Sequence, residues 1–458
     1  MGGKAALFLV LGFSMIMLVV GNNFTSLTNR SLDNFTKYYK DTQAYNIAVS
    51  GANMAANQIF WDRSYSGGYS NVSFSGGTLT VTVSNNTSST GTISQAGKTL
   101  VCHRGTTLSL PNGAVAAHLA HGDVLGACGG TAYDATLATI VSEGTFMNVT
   151  KTVIVVLQPS SFAKFGNYYS SISALPATGD TFHGPFHTNG RLDTWGTPVF
   201  LGKVTTRNGL RALGSPPNPQ FLGGYQSGVD IPLNFDTTNM RSNADVIFRN
   251  TANQTRGVNV RLYFNANGTV TYQTQNEGSS SWTAAQTTAL TTLAPNGVLY
   301  ADKGNIYTKG TVNGALTIVA NKNGRNGYGN VYQEDQLQYA ANPINGYSDD
   351  MLGIIATENI RIQDNANTRR KSIITQASMF AMNGNIRPED GLITQNFLGD
   401  WHILGGLIAS TTGVTATYSG STPVRGLRFN HRYDNRFLLN VPPSFPQTKN
   451  FEVVSWYE

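Results

Sequence analysis

The sequence predicts a mainly β protein that begins with one long α-helix. Two observations lead to this prediction: an uncharged apolar run near the N-terminus, and a body rich in Gly, Asn, Thr and Ser. Only 12% of the 458 residues are charged, about half the usual share of roughly 25%. Turn-forming and strand-surface residues replace the missing charge, which indicates short strands joined by tight turns. A chain of this length can contain two or three structural units.

The N-terminal helix is predicted to be apolar in its first third and amphipathic afterwards. The run from Ala5 to Val20 is uncharged. With its flanking residues it just reaches the roughly 20 residues that cross a membrane. Lys4 precedes the run, so the positive-inside bias places the N-terminus in the cytoplasm. From residue 22 to residue 62 apolar residues recur at helical spacing without a proline.

One continuous helix of about 55 residues would span about 80 Å. A cleaved secretory signal is the alternative, but no small-residue cleavage site follows the apolar run. A cleaved signal also does not need an amphipathic continuation of about 40 residues, which is about 60 Å of helix. We therefore interpret the two parts as one element.

The N-terminal segment resembles that of PilX-type pilin-like proteins. The segment 3–7 (GKAAL) followed by an apolar run looks like their start, and the segment 45–55 resembles their later Ala-x-x-Ala-Glu-x-Gly stretch. Precursors of this kind are cut after a glycine, which here implies cleavage after Gly2 or after Gly3, and in the second case Lys4 becomes the first residue. Most major pilins carry Glu at the fifth mature position, where cleavage after Gly3 would place Phe8. The residues implied for the membrane and filament-core helix are Ala5, Leu7, Phe8, Leu11, Phe13, Met17 and Val20.

The resemblance also implies an architecture and a location. In pilins a β-sheet packs on the amphipathic part of the helix, and the strand patterns at 64–89 and 149–157 would form that platform. The predicted domains are the helix at 1–62, the sheet region at 63–160, a parallel β-helix at 161–440 and a tail at 441–458. Such a chain resides in the inner membrane before assembly and then in an extracellular filament or at the cell surface of a bacterium. Its partners would be identical or related pilin-like subunits.

A degenerate repeat between residues 297 and 420 predicts the parallel β-helix. Five segments share two or three apolar residues, an alanine and a short polar turn. Successive alanines are separated by roughly 20 to 35 positions, a range that indicates a solenoid whose coils bury their apolar faces on one another. The shared alanines are Ala301, Ala320, Ala356, Ala381 and Ala409.

The stretch 179–206 resembles the signature of an uncharacterised bacterial domain found in secreted and pilin-like proteins. That signature reads Gly-Pro-x-His-(Thr/Ser)-Asn-Gly-x-Leu-x-x-x-Gly-x-Pro-x-Phe-x-Gly-x-Val-Thr. The resemblance implies architecture rather than chemistry. His183 and His187 could form a paired metal site, but residues four apart on a strand lie about 13 Å apart. We interpret the motif as a tight turn in a solenoid rung, with the metal site as the alternative.

Two cysteines, Cys102 and Cys128, are predicted to form one disulfide, as an isolated pair in an exported chain usually does. The bond would close a loop of about 25 residues and stabilise the fold by roughly 3 kcal/mol. His103, His118 and His121 lie in the same segment, so a zinc site is an alternative, but the spacing matches no structural zinc motif. No Cys-x-x-Cys-His sequence occurs, which excludes covalent c-type haem. No metal or cofactor is expected.

No catalytic fingerprint of a nucleotide-binding, serine hydrolase or zinc hydrolase type occurs in the sequence. Parallel β-helices also include polysaccharide lyases and hydrolases, which need clustered carboxylates. The candidates Asp349, Asp350, Asp364, Glu389 and Asp390 lie beside turn residues, so we interpret them as solvated loop carboxylates.

The expected function is therefore structural and not enzymatic. The formal charge of +6 and one basic trio at 369–371 do not indicate nucleic-acid binding. We expect a major or minor pilin-like subunit of a filament or pseudopilus that displays a β-helix for surface contact or adhesion. The alternative is a membrane-anchored β-helix protein that binds or degrades polysaccharide, with surface polysaccharide as its partner.

Overall fold

The computed structural model describes residues 2–62, 65–85, 98–103, 106–111, 124–125, 138–233, 237–369, 371–419, 422–438 and 440–458. It confirms a mainly β protein with one long N-terminal helix, α1 (Gly2–Trp61). The chain divides into two compact units. The first comprises residues 1–90, 135–159 and 451–458, and the second comprises residues 91–134 and 160–450.

The strands are numbered in chain order. Up to residue 161 they are β1 (Tyr69–Phe74), β2 (Gly77–Asn85), β3 (Lys98–His103), β4 (Thr106–Pro111), β5 (Val124–Leu125), β6 (Ala138–Phe146) and β7 (Val149–Ser161). From residue 167 to residue 248 they are β8 (Asn167–Ser171), β9 (Thr181–Phe182), β10 (Phe186–Thr188), β11 (Leu192–Trp195), β12 (Val199–Phe200), β13 (Val204–Thr206), β14 (Leu210–Leu213), β15 (Gln220–Phe221), β16 (Tyr225–Ser227) and β17 (Val246–Phe248).

The remaining strands follow residue 257. They are β18 (Val258–Asn265), β19 (Thr269–Asn276), β20 (Gln286–Ala289), β21 (Val298–Asp302), β22 (Gly304–Val312), β23 (Ala315–Asn321), β24 (Val331–Tyr339), β25 (Met351–Ala356), β26 (Ile360–Ile362), β27 (Ile373–Gln376), β28 (Ser378–Ala381), β29 (Ile386–Pro388), β30 (Gly399–Leu404), β31 (Leu407–Thr411), β32 (Ala416–Ser419), β33 (Thr422–Arg432) and β34 (Gln447–Tyr457). Three short helices are α2 (Thr237–Ser242), α3 (Leu290–Leu293) and α4 (Asp390–Ile393), and 3₁₀ turns cover Phe162–Lys164 and Asn435–Leu438.

The first unit contains a five-stranded sheet in the order β1-β2-β6-β7-β34, in which β1, β2, β6 and β7 form an antiparallel meander. Buried and less buried residues alternate along β6, as expected when one sheet face is covered and the other faces water. The covered face packs on the C-terminal part of α1. The last strand, β34, lies where the sequence indicated only a tail.

The second unit is built mainly on two large sheets. A ten-stranded sheet has the order β16-β13-β10-β8-β31-β28-β25-β23-β21-β17, and every adjacent pair in it is parallel. An eleven-stranded sheet has the path β20-β19-β18-β22-β24-β27-β30-β33-β32, with β26 and β29 beside it. From β21 to β31 the chain passes back and forth between these two sheets, and one apolar core contains residues from both.

The ten-stranded sheet is buried on both of its faces. One face joins the core shared with the eleven-stranded sheet, and the other contacts a second cluster that includes Tyr433, Phe437 and Phe445. This double burial explains why its strands are continuous apolar runs such as LIAST and MLGIIA rather than alternating sequences. By contrast, fully buried and half-buried residues alternate along β18, whose second face is only partly covered.

The repeated alanines occupy equivalent positions in the ten-stranded sheet. Ala301 pairs with Ala320, Ala320 with Ala356, Ala356 with Ala381, and Ala381 with Ala409. All five are fully buried. The alignment that the sequence predicted for these segments is therefore their actual strand register.

The first and last strands that the chain contributes to the ten-stranded sheet are neighbours in the middle of that sheet. It leaves β8 through β10, β13 and β16 toward one edge, resumes at β17 at the opposite edge, and returns through β21, β23, β25, β28 and β31. The last of these strands pairs with β8, with Leu407 opposite Asn167. Nearby, the amide of Phe162 and the hydroxyl of Ser161 both donate to the carbonyl oxygen of Pro446, at 2.9 and 3.2 Å.

The predicted disulfide remains a prediction, because Cys128 lies outside the described residues. Cys102 and His103 belong to β3, which pairs antiparallel with both β4 and β5. His118 and His121, which the zinc alternative requires, also lie outside the described residues.

We predict that Ala356→Leu destabilises the second unit by about 1–3 kcal/mol, because the added atoms have no space between strands that are already packed. Ala356 is fully buried between two other alanines of the register. Urea unfolding followed by circular dichroism measures the loss. Ala285→Leu, at an exposed position, serves as the matched control, and equal stability of the two variants would contradict the packing argument.

Candidate functional site

The N-terminal part of α1 is apolar and exposed along its whole circumference. Among the described residues, α1 is the one helix that is long and apolar enough to cross a membrane. Phe8 and Leu11 are 73% and 51% exposed. The residues predicted for membrane and filament contact, Ala5, Leu7, Phe8, Leu11, Phe13, Met17 and Val20, all lie exposed on this segment, and Gly3 and Lys4 lie at its start. An apolar surface of this extent requires a lipid or protein environment.

The C-terminal part of α1 buries one face against the sheet of the first unit. The buried face consists mainly of small side chains that recur three or four residues apart, which places them on one side of the helix. They pack against Leu79, Val81, Ile140 and Val155 of the sheet. The helix residues are Ala44, Ile47, Ala48, Ala52, Ala55 and Ile59.

Two glycines allow the helix and the sheet to approach closely. A Cβ atom at Gly51 of α1 would overlap the side chains of Leu79 and Ser142. A Cβ atom at Gly144 of β6 would overlap the main-chain oxygen of Ala44 and the main-chain nitrogen of Ala48. Gly51 and Gly144 therefore have a packing role in this contact.

Two side chains at the N-terminal end of this contact also join α1 to the sheet. The rings of Tyr39 and Phe146 meet edge to face with their centroids 5.8 Å apart. Tyr45 donates a short hydrogen bond to the carboxylate of Glu458, which follows β34. The C-terminal strand therefore contributes to holding the helix.

The histidine motif forms a buried hydrogen-bond network and not a paired site. His187 is fully buried, and its ring nitrogens contact Thr205 Oγ1 at 2.7 Å and Asn189 Oδ1 at 2.9 Å. The Asn189 amide in turn donates to the carbonyl of Ile231 at 2.7 Å and accepts from the amide of Ile231 at 3.1 Å. Burial lowers the pKa of His187. The motif thus fastens the segment that follows β16 to the sheet.

A second histidine, His431, occupies a separate buried position. Its Nε2 lies 2.9 Å from the carbonyl oxygen of Gly405, so this nitrogen carries the proton, and its Nδ1 accepts from Asn167 Nδ2 at 3.4 Å. Burial, opposed by the bond to Gly405 and reinforced by His183, lowers the pKa of His431 to about 4. The ring is therefore neutral at physiological pH.

The candidate carboxylates serve local structure in the described residues. Asp350 is buried and accepts from the amides of Gly314 and Ala341 at 2.6 and 2.7 Å. Three others have local partners: Asp364 pairs with Arg369, Asp390 with Arg387, and Glu389 accepts from the amide of Asp364. Within the described part of the chain, no group of three or more His, Cys, Asp or Glu residues could hold a metal ion.

The chain matches no protein-family model and no curated protein. Among solved structures it is similar to the competence-associated pilin ComZ from Thermus thermophilus. The two chains share 12% identity and superpose with a TM-score of 0.29, over 91% of this chain and 97% of that one.

We predict that Gly144→Ala weakens the contact between α1 and the sheet by about 1–3 kcal/mol, because the new methyl group meets main-chain atoms that cannot rotate away. Faster hydrogen exchange in residues 44–59 would report the loosened helix. Gly346→Ala is the matched control, since nothing lies within 4 Å of its added Cβ. Unchanged exchange in the Gly144 variant would contradict this account of the contact.

We predict that acid destabilises the second unit through His431. Its folded pKa of about 4 lies below the roughly 6.5 of an exposed histidine. Between these values the unfolded chain binds a proton that the folded chain does not, so stability falls as the pH drops from about 6.5 to about 4. His431→Gln, which keeps a donor for Gly405, should flatten that dependence in unfolding titrations at pH 7, 6 and 5, whereas the exposed-site variant His402→Gln should not.

Proposed function

We propose that this protein is a pilin-like subunit whose helix α1 inserts in a membrane and then packs among similar helices, while its β body is displayed outside. The supporting observation is that one continuous helix, α1, has two parts with different surroundings. Its first part is uncharged and exposed all round, and its last part is buried on a sheet of its own unit. A signal peptide does not require such a continuation, whereas a subunit that changes from a lipid to a protein environment does.

The intermediate part of α1 supports the same assignment. Phe24, Leu27, Leu32 and Phe35 lie beyond the apolar run and are 61–71% exposed. Their spacing places them near one side of the helix. Such a stripe needs a partner surface outside the membrane, and a neighbouring helix of the same kind supplies one. Because Phe8 stands at the fifth position after cleavage before Lys4, we propose that assembly relies on apolar packing rather than on a Glu at that position.

For the displayed body we propose a parallel β-helix. The parallel register within the ten-stranded sheet, the alternation of consecutive strands between two sheets, and the core that the two sheets share all support it. A solenoid of this kind presents a long outer surface. We propose that this surface, and not an enzymatic centre, makes the contacts of the protein outside the cell.

The proposal is tested on filaments sheared from cells that express the full chain. We expect mass spectrometry to find the chain in the filament fraction with Lys4 as its first residue. Recovery of a soluble chain cleaved near residue 22 would refute the proposal, because it would identify the apolar run as a removable signal.

Charged substitutions separate membrane insertion from assembly. The double variant Leu11→Arg and Phe13→Arg should fail to enter the membrane fraction, because each arginine at the centre of a span costs about 2.5–3.5 kcal/mol. Leu27→Arg lies outside the apolar run and should still enter the membrane, yet it should reduce recovery in filaments. Equal membrane insertion of the wild type and the double variant would argue against a spanning role.

A further inference from the structure

The outer face of the eleven-stranded sheet has a row of arginine and tyrosine residues with no role in the proposed assembly. Strand register places Arg261, Tyr307, Tyr332, Arg361 and Arg387 side by side on β18, β22, β24, β26 and β29. We name these residues the Tyr/Arg row. All of them are half-buried. At about 4.8 Å per strand the row extends about 19 Å across the sheet.

The two tyrosines of the row have hydroxyl groups available to a ligand. The rings of Tyr307 and Tyr332 stack with their centroids 4.9 Å apart, so their facing surfaces are occupied. Trp282 meets Tyr307 edge to face, and the Arg261 guanidinium lies 4.0 Å from the centroid of Trp282. Neither tyrosine hydroxyl has a hydrogen-bond partner among the described residues, and the buried Nε of Arg261 also has none. A buried, unpaired donor such as this Nε is uncommon in native proteins.

Neutral side chains hold Arg361 in position. Its guanidinium donates to Asn359 Oδ1 and to Asn385 Oδ1, each at 2.7 Å. Asn359 in turn donates to Asn330, and Asn330 to Asn305, in a ladder beside the row. Two main-chain carbonyl oxygens also accept from this guanidinium. Its Nε–H makes no hydrogen bond to a described residue, so this donor can bond a ligand.

A strand irregularity opens a groove beside the row. Between Thr308 and Gly310 three residues of β24 stand opposite one residue of β22. Bulges of this kind redirect side chains and often lie at functional sites. The groove is lined by aromatic and polar side chains, among them Tyr263, Asn265, Lys309, Asp335 and Gln336. Lys309 lies over the ring of Tyr263, with its Nζ 4.4 Å from the centroid, and makes no ion pair with a described carboxylate.

The charge of this surface selects the class of ligand. Basic and acidic groups are nearly balanced when the row, the groove and the charged groups that interact with them are counted together. A polyanion such as nucleic acid needs a clear excess of positive charge. A ligand rich in hydroxyl groups instead needs donors and acceptors interspersed, because each hydroxyl both donates and accepts. The groups counted are Arg261, Lys309, Arg361, Lys371 and Arg387 against Glu334, Asp335, Glu389 and Asp390.

We propose that the Tyr/Arg row and the adjacent groove bind a neutral polysaccharide. The row runs across successive strands, so an extended sugar chain can contact several of its side chains at once. Phenol, amide and guanidinium groups bond its hydroxyls, and Tyr263 and Trp282 supply apolar contact. The site lies within the second unit and does not depend on filament assembly.

Affinity electrophoresis of the full chain in detergent tests this proposal. Dextran, a mannan and an arabinogalactan are the neutral probes, and polygalacturonate and single-stranded DNA are the acidic ones. We expect at least one neutral polysaccharide to retard the protein. Tyr332→Phe and Lys309→Ala should each weaken that binding about fivefold or more, the equivalent of about one hydrogen bond. Tyr457→Phe and Lys203→Ala, at exposed positions of the chain, are the matched controls and should bind normally.

Tyr332→Phe removes one oxygen and keeps the stacked ring, so its thermal unfolding by circular dichroism should match that of the wild type. Failure of all three neutral polysaccharides to retard the protein would overturn the proposal. So would equal losses in the site variants and the controls, or stronger retardation by either acidic probe than by the neutral ones. Any of these results would leave the assembly function untouched, because that function is measured on filaments.

Discussion

The spacing of about 4.8 Å between hydrogen-bonded parallel strands is the constraint on which the second unit depends. Side chains at the same register position on successive strands must fit that spacing together. Inside, this favours a column of small residues, and the five paired alanines are that column. Outside, the same spacing lets asparagine amides bond to one another and tyrosine rings stack. The buried alanine column, the bonded asparagine amides and the stacked tyrosine rings therefore all follow from one repeat distance.

The first unit follows a different constraint, the close approach of a helix to a sheet. Alanines on α1 and a glycine on each element reduce the distance between the main chains. Close main chains bring many atoms into contact, so even small side chains stabilise the interface. The same helix has large apolar residues along its first part, where no part of its own unit covers it. Large apolar side chains thus lie on the part of α1 that its own unit leaves uncovered, and small side chains lie on the part that packs on the sheet.

Local patterns in the sequence predicted much of this fold. Apolar spacing predicted the long helix, and the repeated alanines predicted the strand alignment, because both features repeat over short distances. The path of the chain could not be predicted in the same way. Nothing near Asn167 indicates that its strand pairs with the strand that begins at Leu407, in the last part of the chain. Likewise Tyr307 and Tyr332 are well separated in the sequence, and only the register of β22 and β24 brings their rings together.

The histidine motif shows why a residue pattern can indicate structure without chemistry. His187 and Asn189 have the polar atoms of a binding site, yet these atoms bond to Thr205 and to the main chain of Ile231. The carboxylates considered for catalysis bond to main-chain amides or arginines in the same way. Side chains with unpaired donors lie elsewhere, on β22 and β24, where no motif drew attention to them. The distinction rests on hydrogen-bond partners, which a sequence does not display.

The junction at Ser161 and Pro446 has a consequence for how such a protein can change. The long segment 160–450 of the second unit begins at the end of β7 and ends within β34, and these two strands are neighbours in the sheet of the first unit. This segment is thus a very long insertion in one strand-to-strand connection of that sheet. An insertion whose two ends meet can be lengthened, shortened or exchanged while the host sheet keeps its pairing. The segment 160–450 can therefore diversify while the helix and its sheet keep their own contacts.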